Sequence, residues 1–342
     1  MVPSSSSFLP LRALILTRLL LHSRDYNNFD GLTYFRYDGN KSSVETLDAK
    51  NPEFKTTYQT TQIGNRTLRW LEQAIDDKDR RPFFAYLGPH APHFPATPAP
   101  WYRDAFKDMR APITPNYNVS SPGKAQHVRQ NPPLDERVRC WEDQHFRDRW
   151  ASLLSVDDLV DAVFELLERR GVAEETYVLF SSDHGYKQGQ WRVGTSKQHP
   201  YETDIRVPLL VSGPGIAPGT TYPQISGNVD VLPTILDLAG LASSIPEDVD
   251  GRSVAPFLRG QGDGEAGAAK TWRGAFLNEY LSVGTYWNDH SNAWAPEGYA
   301  DKCGGNMPRS PEAAGSKANC TEAEGVGQGE CYFVVSFWQS EI

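Results

Sequence analysis

Apolar residues fall along this chain in short runs and helical stripes, never in a long unbroken block. In NRTLRWLEQAIDDKD (65–79), Leu68, Leu71 and Ile75 recur at helical spacing and predict an amphipathic helix. RPFFAYLGP (81–89) follows directly and reads as a short buried strand that stops at Gly88 and Pro89. The proline-rich PHAPHFPATPAP (89–100) excludes a helix or a central strand, because proline lacks the N–H that both need. From about 97 to 144 little periodicity is visible, which predicts mostly loop.

FRDRWASLLSVDDLVDAVFELLERRG (146–171) carries the strongest stripe, with Leu159, Val160, Val163, Leu166 and Leu167 on one face. Ser155 and Asp158 suit an N-terminal cap, and Arg169, Arg170 and Gly171 suit the end. TYVLFS (176–181) and VPLLVSG (207–213) predict two buried strands. VDVLPTILDLAGL (229–241) predicts a helix with a proline near its first turn. GAFLNEYL (274–281) and CYFVVSFW (331–338) predict further strands. Alternation of this kind indicates a layered α/β domain. Pro, Gly and Asp mix between 244 and 271, which places a subdomain boundary there. The expected organisation is a poorly defined segment over 1–63, a main domain over 64–265 and a partial smaller α+β subdomain over 266–342.

Composition narrows the classes. With 342 residues, 39% hydrophobic and 11% aromatic, the chain has enough apolar side chain for a substantial core, which argues against general disorder. A net charge of −9 is scattered, without a basic stripe, and excludes nucleic acid as the expected partner while leaving room for an anionic substrate in a local pocket. The four cysteines, Cys140, Cys303, Cys320 and Cys331, contain no C-x-x-C pair and suit disulfides better than zinc. Sequons stand at Asn40, Asn65, Asn118 and Asn319. Together these indicate the secretory pathway, lysosomal or extracellular. The apolar FLPLRALILTRLLLHSR is interrupted by Arg12 and Arg18, so it offers no clear signal peptide and no membrane span.

The candidate chemistry lies in SSDHGYKQGQWRVGTSKQHPYETDIRVPLLVSGPG (181–215), which holds Asp183, His184, Lys197, His199 and Glu202. In open α/β sheets, loops at the C-terminal ends of strands carry function. Asp183 and His184 stand there, and Gly185 permits a sharp turn that lets a carboxylate and an imidazole reach one metal ion or anion. Asp183 as a simple turn cap is the alternative. Lys197 suits a point charge aimed at an anionic oxygen. Glu202 and Asp204 suit either the surface or loop hydrogen bonds, and His199 suits a structural place. The second candidate loop, GPHAPHFP (88–95), would bring His90 and His93 out at the same sheet edge as Asp183. Pro92 between them argues against the helix on which zinc-binding pairs sit. A donor to an oxyanion, a general acid and a structural histidine all remain open for each.

These residues together resemble the sulfatase family, within the alkaline-phosphatase-like superfold. The resemblance is carried by SSDHGYKQGQW, SKQHPYETDIRVPLLVSGPGI and FFAYLGPHAPHFPATPAPWY. FRDRWASLLSVDDLV, NVDVLPTILDLAG, DGRSVAPFLRG and TWRGAFLNEY follow in family order, so it spans roughly 64 to 281. The branches most alike are the N-acetylglucosamine-6-sulfatases and the heparan 6-O-endosulfatases. The resemblance implies that Asp183 and His184 lie at a Ca²⁺ ion, that His184, Lys197 and His93 bind the sulfate, and that Lys197 and His93 assist the leaving alcohol. The implied partner is a sulfated glycan bearing glucosamine 6-O-sulfate, as in glycosaminoglycans.

One departure matters. The family's formylglycine nucleophile is made from the first residue of a C-x-P-S-R motif, and this sequence contains none; Cys140 stands in RCWED. The family's first pair of metal-binding aspartates also has no match. The expectation is therefore a sulfatase core without its N-terminal catalytic segment, holding Ca²⁺ weakly or not at all, folding poorly and catalytically incomplete. Two alternatives remain: a non-catalytic binder of sulfated glycans, and a phosphoester or phosphonate hydrolase of the same superfold.

Overall fold

The computed structural model describes residues 18–19, 33–38, 41–46, 58–78, 81–129, 131–195, 197, 200–261, 271–283 and 330–339. Two compact units make up the chain. The first comprises Met1–Pro112 with Cys140–Ala173, and the second Ile113–Arg139 with Glu174–Ile342.

In the first unit, β1 (Arg18–Leu19), β2 (Thr33–Asp38) and β3 (Lys41–Thr46) form an antiparallel sheet in that order. Helix α1 (Gln59–Ile75) begins several residues before the periodic stretch that predicts it. Helix α2 (Glu136–Arg169) is longer still, at 34 residues. Its true N-cap is Asp135, whose Oδ1 accepts the N–H groups of Arg137 and Val138 at 3.0 Å each. Ser155 is therefore no cap but a buried interior position, and the expected loop up to residue 144 is helical from Glu136. A further single turn, which belongs to the second unit, lies at Gln126–Arg129. The upstream extension was hidden because Trp141, His145 and Phe146 continue the buried face with residues that are not all aliphatic.

From Gly64 and Asp76 to their opposite numbers, α1 and α2 run parallel. A Cβ on Gly64 would lie 3.2 Å from Leu159 Cδ1, and Arg170 Nη1 donates to Asp76 at 2.9 Å. Leu71, Leu159, Leu166 and Leu167 are buried there. The expected strand at 81–89 carries no ladder among the described residues, and Tyr86 is 86% exposed. A run of apolar side chains makes a strand only where another strand takes its N–H and C=O groups. The sheet edge expected to carry His90 and His93 is thus not formed by described residues.

The second unit has a better defined core. Strands β4 (Val178–Ser181) and β5 (Leu209–Ser212) pair antiparallel, with Leu179 opposite Val211 and Phe180 opposite Leu210. Both were expected to be buried, but burial follows the pleat. Leu179 and Val211 pack on Leu238, Val254, Ala255, Phe257 and Leu258, whereas Phe180 and Leu210 are 41% and 62% exposed. The continuous apolar runs hid this alternation, since nothing polar marks the outer face. Helices α3 (Glu202–Ile205), α4 (Val231–Leu238) and α5 (Ala255–Leu258) and the pair β6 (Ala275–Val283) and β7 (Glu330–Gln339) complete the unit.

A buried carboxylate fixes how α4 begins. Asp230 is 2% exposed, and its Oδ1 accepts from Arg252 N at 2.7 Å and Arg273 Nη2 at 2.9 Å. Its Oδ2 accepts from Gly227 N and Arg273 Nη1. Gly251 is required beside it, since a Cβ there would meet Val229 O at 1.8 Å. Asp230→Ala should cost about 3–5 kcal/mol, because it leaves the Arg273 guanidinium buried and uncompensated. Urea unfolding measures this, and a loss below about 1 kcal/mol would show the pair to be no more than a surface contact.

Candidate active site

Strand β4 ends at Ser181 and hands the chain to Ser182, Asp183 and His184, whose backbone is held from three sides. Ser182 Oγ donates to His184 O at 2.9 Å, and His184 N donates to Asp183 Oδ1 at 3.0 Å. Asn228 Nδ2 donates to the carbonyls of Ser182 and Asp183 at 3.2 and 3.1 Å. Gly185 N donates to Asp204 O at 2.7 Å. Only glycine fits at 185, because a Cβ would lie 2.1 Å from Thr203 O.

His184 and Lys197 come together on this loop. His184 Nδ1 lies 2.8 Å from Gly185 O, a carbonyl that can only accept, so Nδ1 carries the proton. Nε2 then presents its lone pair to Lys197 Nζ at 2.9 Å. Asp183 Oδ2 is 3.3 Å from the same Nε2, and the Asp183 side chain is 82% exposed. The cluster is an exposed carboxylate, an imidazole of fixed tautomer and an ammonium group, all at one strand end.

Behind it lies a second lysine. Lys187 is fully buried and donates to Asp204 Oδ2, while Asp204 is itself 5% exposed. Burial pushes the Lys187 pKa down to about 8 against the opposing pull of Asp204. Of the two sequence readings for Asp204, surface or loop-fixing, the second holds. Glu202 is a surface residue 3.8 Å from Arg206. His199 lies outside the described residues. Lys187 and Asn228 escaped the sequence reading. Their only signals are a lysine inside a Gly-rich loop and an asparagine just before a helix, and neither says what it touches.

His93 belongs to the first unit. Its Nδ1 donates to Phe94 O at 2.7 Å, which leaves Nε2 as the acceptor, and its N–H donates to His90 O at 2.6 Å. Burial first, and then the neighbouring His93, pushes the His90 pKa down to about 4. On α2, His145 stacks on Trp141 with ring centroids 5.2 Å apart and an interplanar angle of 5°, and Phe94 approaches at 5.8 Å. Burial, then Arg149 and His93, holds His145 down at about 3.

The sulfatase family model matches residues 20–241, well over half of the chain. This chain belongs to the sulfatase family. It is 38% identical over 232 residues to the N-acetylglucosamine-6-sulfatase of Capra hircus, covering 68% of this chain and 40% of that protein. It is 31% identical over 228 residues to the extracellular sulfatase SULF-1 homolog of Drosophila melanogaster, covering 66% and 20%. A structure solved with the substrate D-glucosamine-2-N,6-O-disulfate matches with a TM-score of 0.59 at 23% identity, over 75% of this chain and 60% of that one. The last likeness establishes a sulfatase fold. The chain thus spans about 40% of the length of the N-acetylglucosamine-6-sulfatases it matches.

Sulfatase chemistry raises the question of the metal. Among the described residues, no group of three or more His, Cys, Asp or Glu side chains is placed to hold an ion. Ca²⁺ takes about six to eight oxygen donors. Here Asp183 supplies a carboxylate, while the nitrogen of His184 already faces the Lys197 ammonium group. The described donors do not fit the ion. Since stabilisation follows RT ln(1 + [L]/Kd), 1 mM CaCl₂ should raise unfolding stability by less than about 0.5 kcal/mol, and EDTA should not lower it. Differential scanning calorimetry in the two buffers tests this, and a rise of several degrees would reveal a complete site.

The buried histidines carry a pH dependence of known sign. With a folded pKa of about 3 and an unfolded value of 6.5, His145 is neutral when buried. Below pH 6.5 the unfolded chain takes up a proton that the folded chain refuses. Stability present above pH 6.5 should fall by about 1.4 kcal/mol per pH unit as the pH drops toward 3. Urea unfolding at pH 7 and pH 5 measures the slope, and His145→Phe should flatten its share.

Proposed function

We propose that this chain carries the sulfate-recognition part of a sulfuric ester hydrolase of the N-acetylglucosamine-6-sulfatase type. The ligand is the 6-O-sulfate of glucosamine in a glycosaminoglycan-like glycan. The observation that carries the reading is the Lys197–His184 contact of 2.9 Å at the end of β4. There an ammonium group and an imidazole of fixed tautomer converge beside backbone already committed to Asn228. Lys197 donates to a sulfate oxygen and offsets charge on the leaving alcohol. His184 fixes the position of Lys197 and lines the same place. Asp183 is the carboxylate that would face a metal ion, and holds one weakly by itself. His93 is assigned to the sulfate and the leaving group on its place in the histidine loop.

Turnover is a separate matter. The sequence holds no C-x-P-S-R motif, so it offers no formylglycine nucleophile and no covalent route. The 342-residue chain is therefore proposed to bind sulfated sugar without hydrolysing it. The disulfide at Cys140 and the name of the extracellular relative support a secretory-pathway location. No helix among the described residues is long and apolar enough to cross a membrane.

The test uses the full chain with D-glucosamine 6-sulfate, followed by isothermal titration and by ion chromatography of released sulfate. Binding should weaken with salt and should fall at least about tenfold in Lys197→Ala, the loss of one charge-assisted hydrogen bond. No inorganic sulfate should appear. Binding that ignores Lys197→Ala would remove the carrying observation, and catalytic sulfate release would overturn the binding-only reading.

A further inference from the structure

The chain holds two successive non-glycine residues, Trp191 and Arg192, in the left-handed region, with φ of 52° and 60°. Such backbone persists only where its surroundings fix it, and it gathers at functional positions. Here the surroundings are residues 114–131 of the same unit. Trp191 N donates to Asn116 O and Asn118 N donates to Gly189 O, both at 2.8 Å. Gln190 Nε2 reaches Thr114 Oγ1 at 3.3 Å, and the Arg192 guanidinium reaches the carbonyls of Asn118 and Asn131. Asn118 is itself at φ 53°, with its amide clasped to both backbone groups of Leu134.

The consequence of this strapping is the position of the Trp191 indole. It lies 5.0 Å from the Tyr201 ring at an interplanar angle of 49°, and Lys124 Nζ stands 4.2 Å from one ring centroid and 4.5 Å from the other. All three side chains are only partly buried. A partly buried cation–π contact contributes only about 1 kcal/mol, so it does not by itself account for two strained residues. Lys197 falls between Trp191 and Tyr201 in sequence, and Tyr201 opens α3, whose Asp204 carbonyl receives Gly185 N–H. The aromatic pair is thus built on the same loop as the Lys197–His184 cluster.

We propose that Trp191, Tyr201 and Lys124 form a second sugar subsite, which takes the ring next to the one whose sulfate meets Lys197. Aromatic faces accept the apolar C–H face of a pyranose, and the Lys124 ammonium accepts an anionic substituent on it, a sulfate or a carboxylate. The ligand class is an anionic oligosaccharide rather than a single sugar. This rests on the proposed sulfate-binding role of the cluster, but it can fail independently.

The test titrates the full chain with D-glucosamine 6-sulfate and with a heparin-derived tetrasaccharide. The wild type should bind the tetrasaccharide at least about tenfold more tightly. Trp191→Ala should bring that ratio close to that of statistical multiplicity while leaving the monosaccharide Kd within about twofold. Trp191→Phe should keep most of the preference, and Lys124→Ala should reduce it and flatten its salt dependence. A preference that survives both Trp191→Ala and Lys124→Ala, or a wild type that shows none, overturns the subsite and leaves the sulfate cluster standing. Tetrasaccharide binding that needs Trp191, with no monosaccharide binding at all, overturns the cluster and leaves the subsite. Absence of both overturns the two together.

Discussion

Everything at the candidate site depends on a lysine that never meets solvent. Lys187 and Asp204 are sealed together at 0% and 5% exposure, and a buried pair of this kind tolerates no loss of one partner. The pair therefore fixes the loop that follows β4 against α3. Once α3 is fixed, the carbonyl of Asp204 is in place to receive Gly185 N–H. The turn at Gly185 in turn sets the carbonyl that selects the His184 tautomer. The lone pair offered to Lys197 is thus the last step of a chain that starts at a buried charge. The order also separates the two lysines by role. Lys187 is spent on structure, whereas the partly exposed Lys197 is the one proposed to meet the ligand.

A second hold reaches the same residues from the core side. Asp230 organises the start of α4 through Arg273, Arg252 and Gly227, and α4 carries Thr234 and Leu238 into the interior. Asn228 sits just ahead of Asp230, and its amide holds the carbonyls of Ser182 and Asp183. A change in core packing would therefore be felt at Asp183 through one side chain. Two independent buried carboxylates, Asp204 and Asp230, brace a strand end whose own ladder is only four residues long.

The helices and the sulfatase motifs were legible in the sequence because both are local. Period 3.6 marks α1 and the later part of α2, and DHG followed by Lys197 lies within one loop. What was hidden depends on partners. Burial of Phe180 and Leu210 could not be judged, because an apolar run looks alike whether one face or both are covered. The stretch 81–89 has strand composition but no ladder partner among the described residues. The cap at Asp135 falls inside the stretch whose weak periodicity predicts loop, and Ser155 took its place by pattern alone. Lys187 was unreadable for a further reason. Its ion partner is 17 positions away, and nothing in GYKQGQ says that the ammonium turns inward.

Among the described residues, the groups seen to position Asp183 and His184 come from the second unit: Ser182, Gly185, Lys187, Asp204, Asn228 and, through α4, Asp230. None of these contacts uses a nucleophile or a metal ion. The proposed recognition of an anion by this cluster is consequently separable from hydrolysis of it. An ammonium group beside Nε2 also opposes a cation at the same atom, since like charges raise the energy of both. With one carboxylate and two nitrogen groups already in contact, the cluster suits the proposed sulfate oxygen better than a cation. A cation would need further carboxylates to outweigh Lys197, and the described residues place none within such a group.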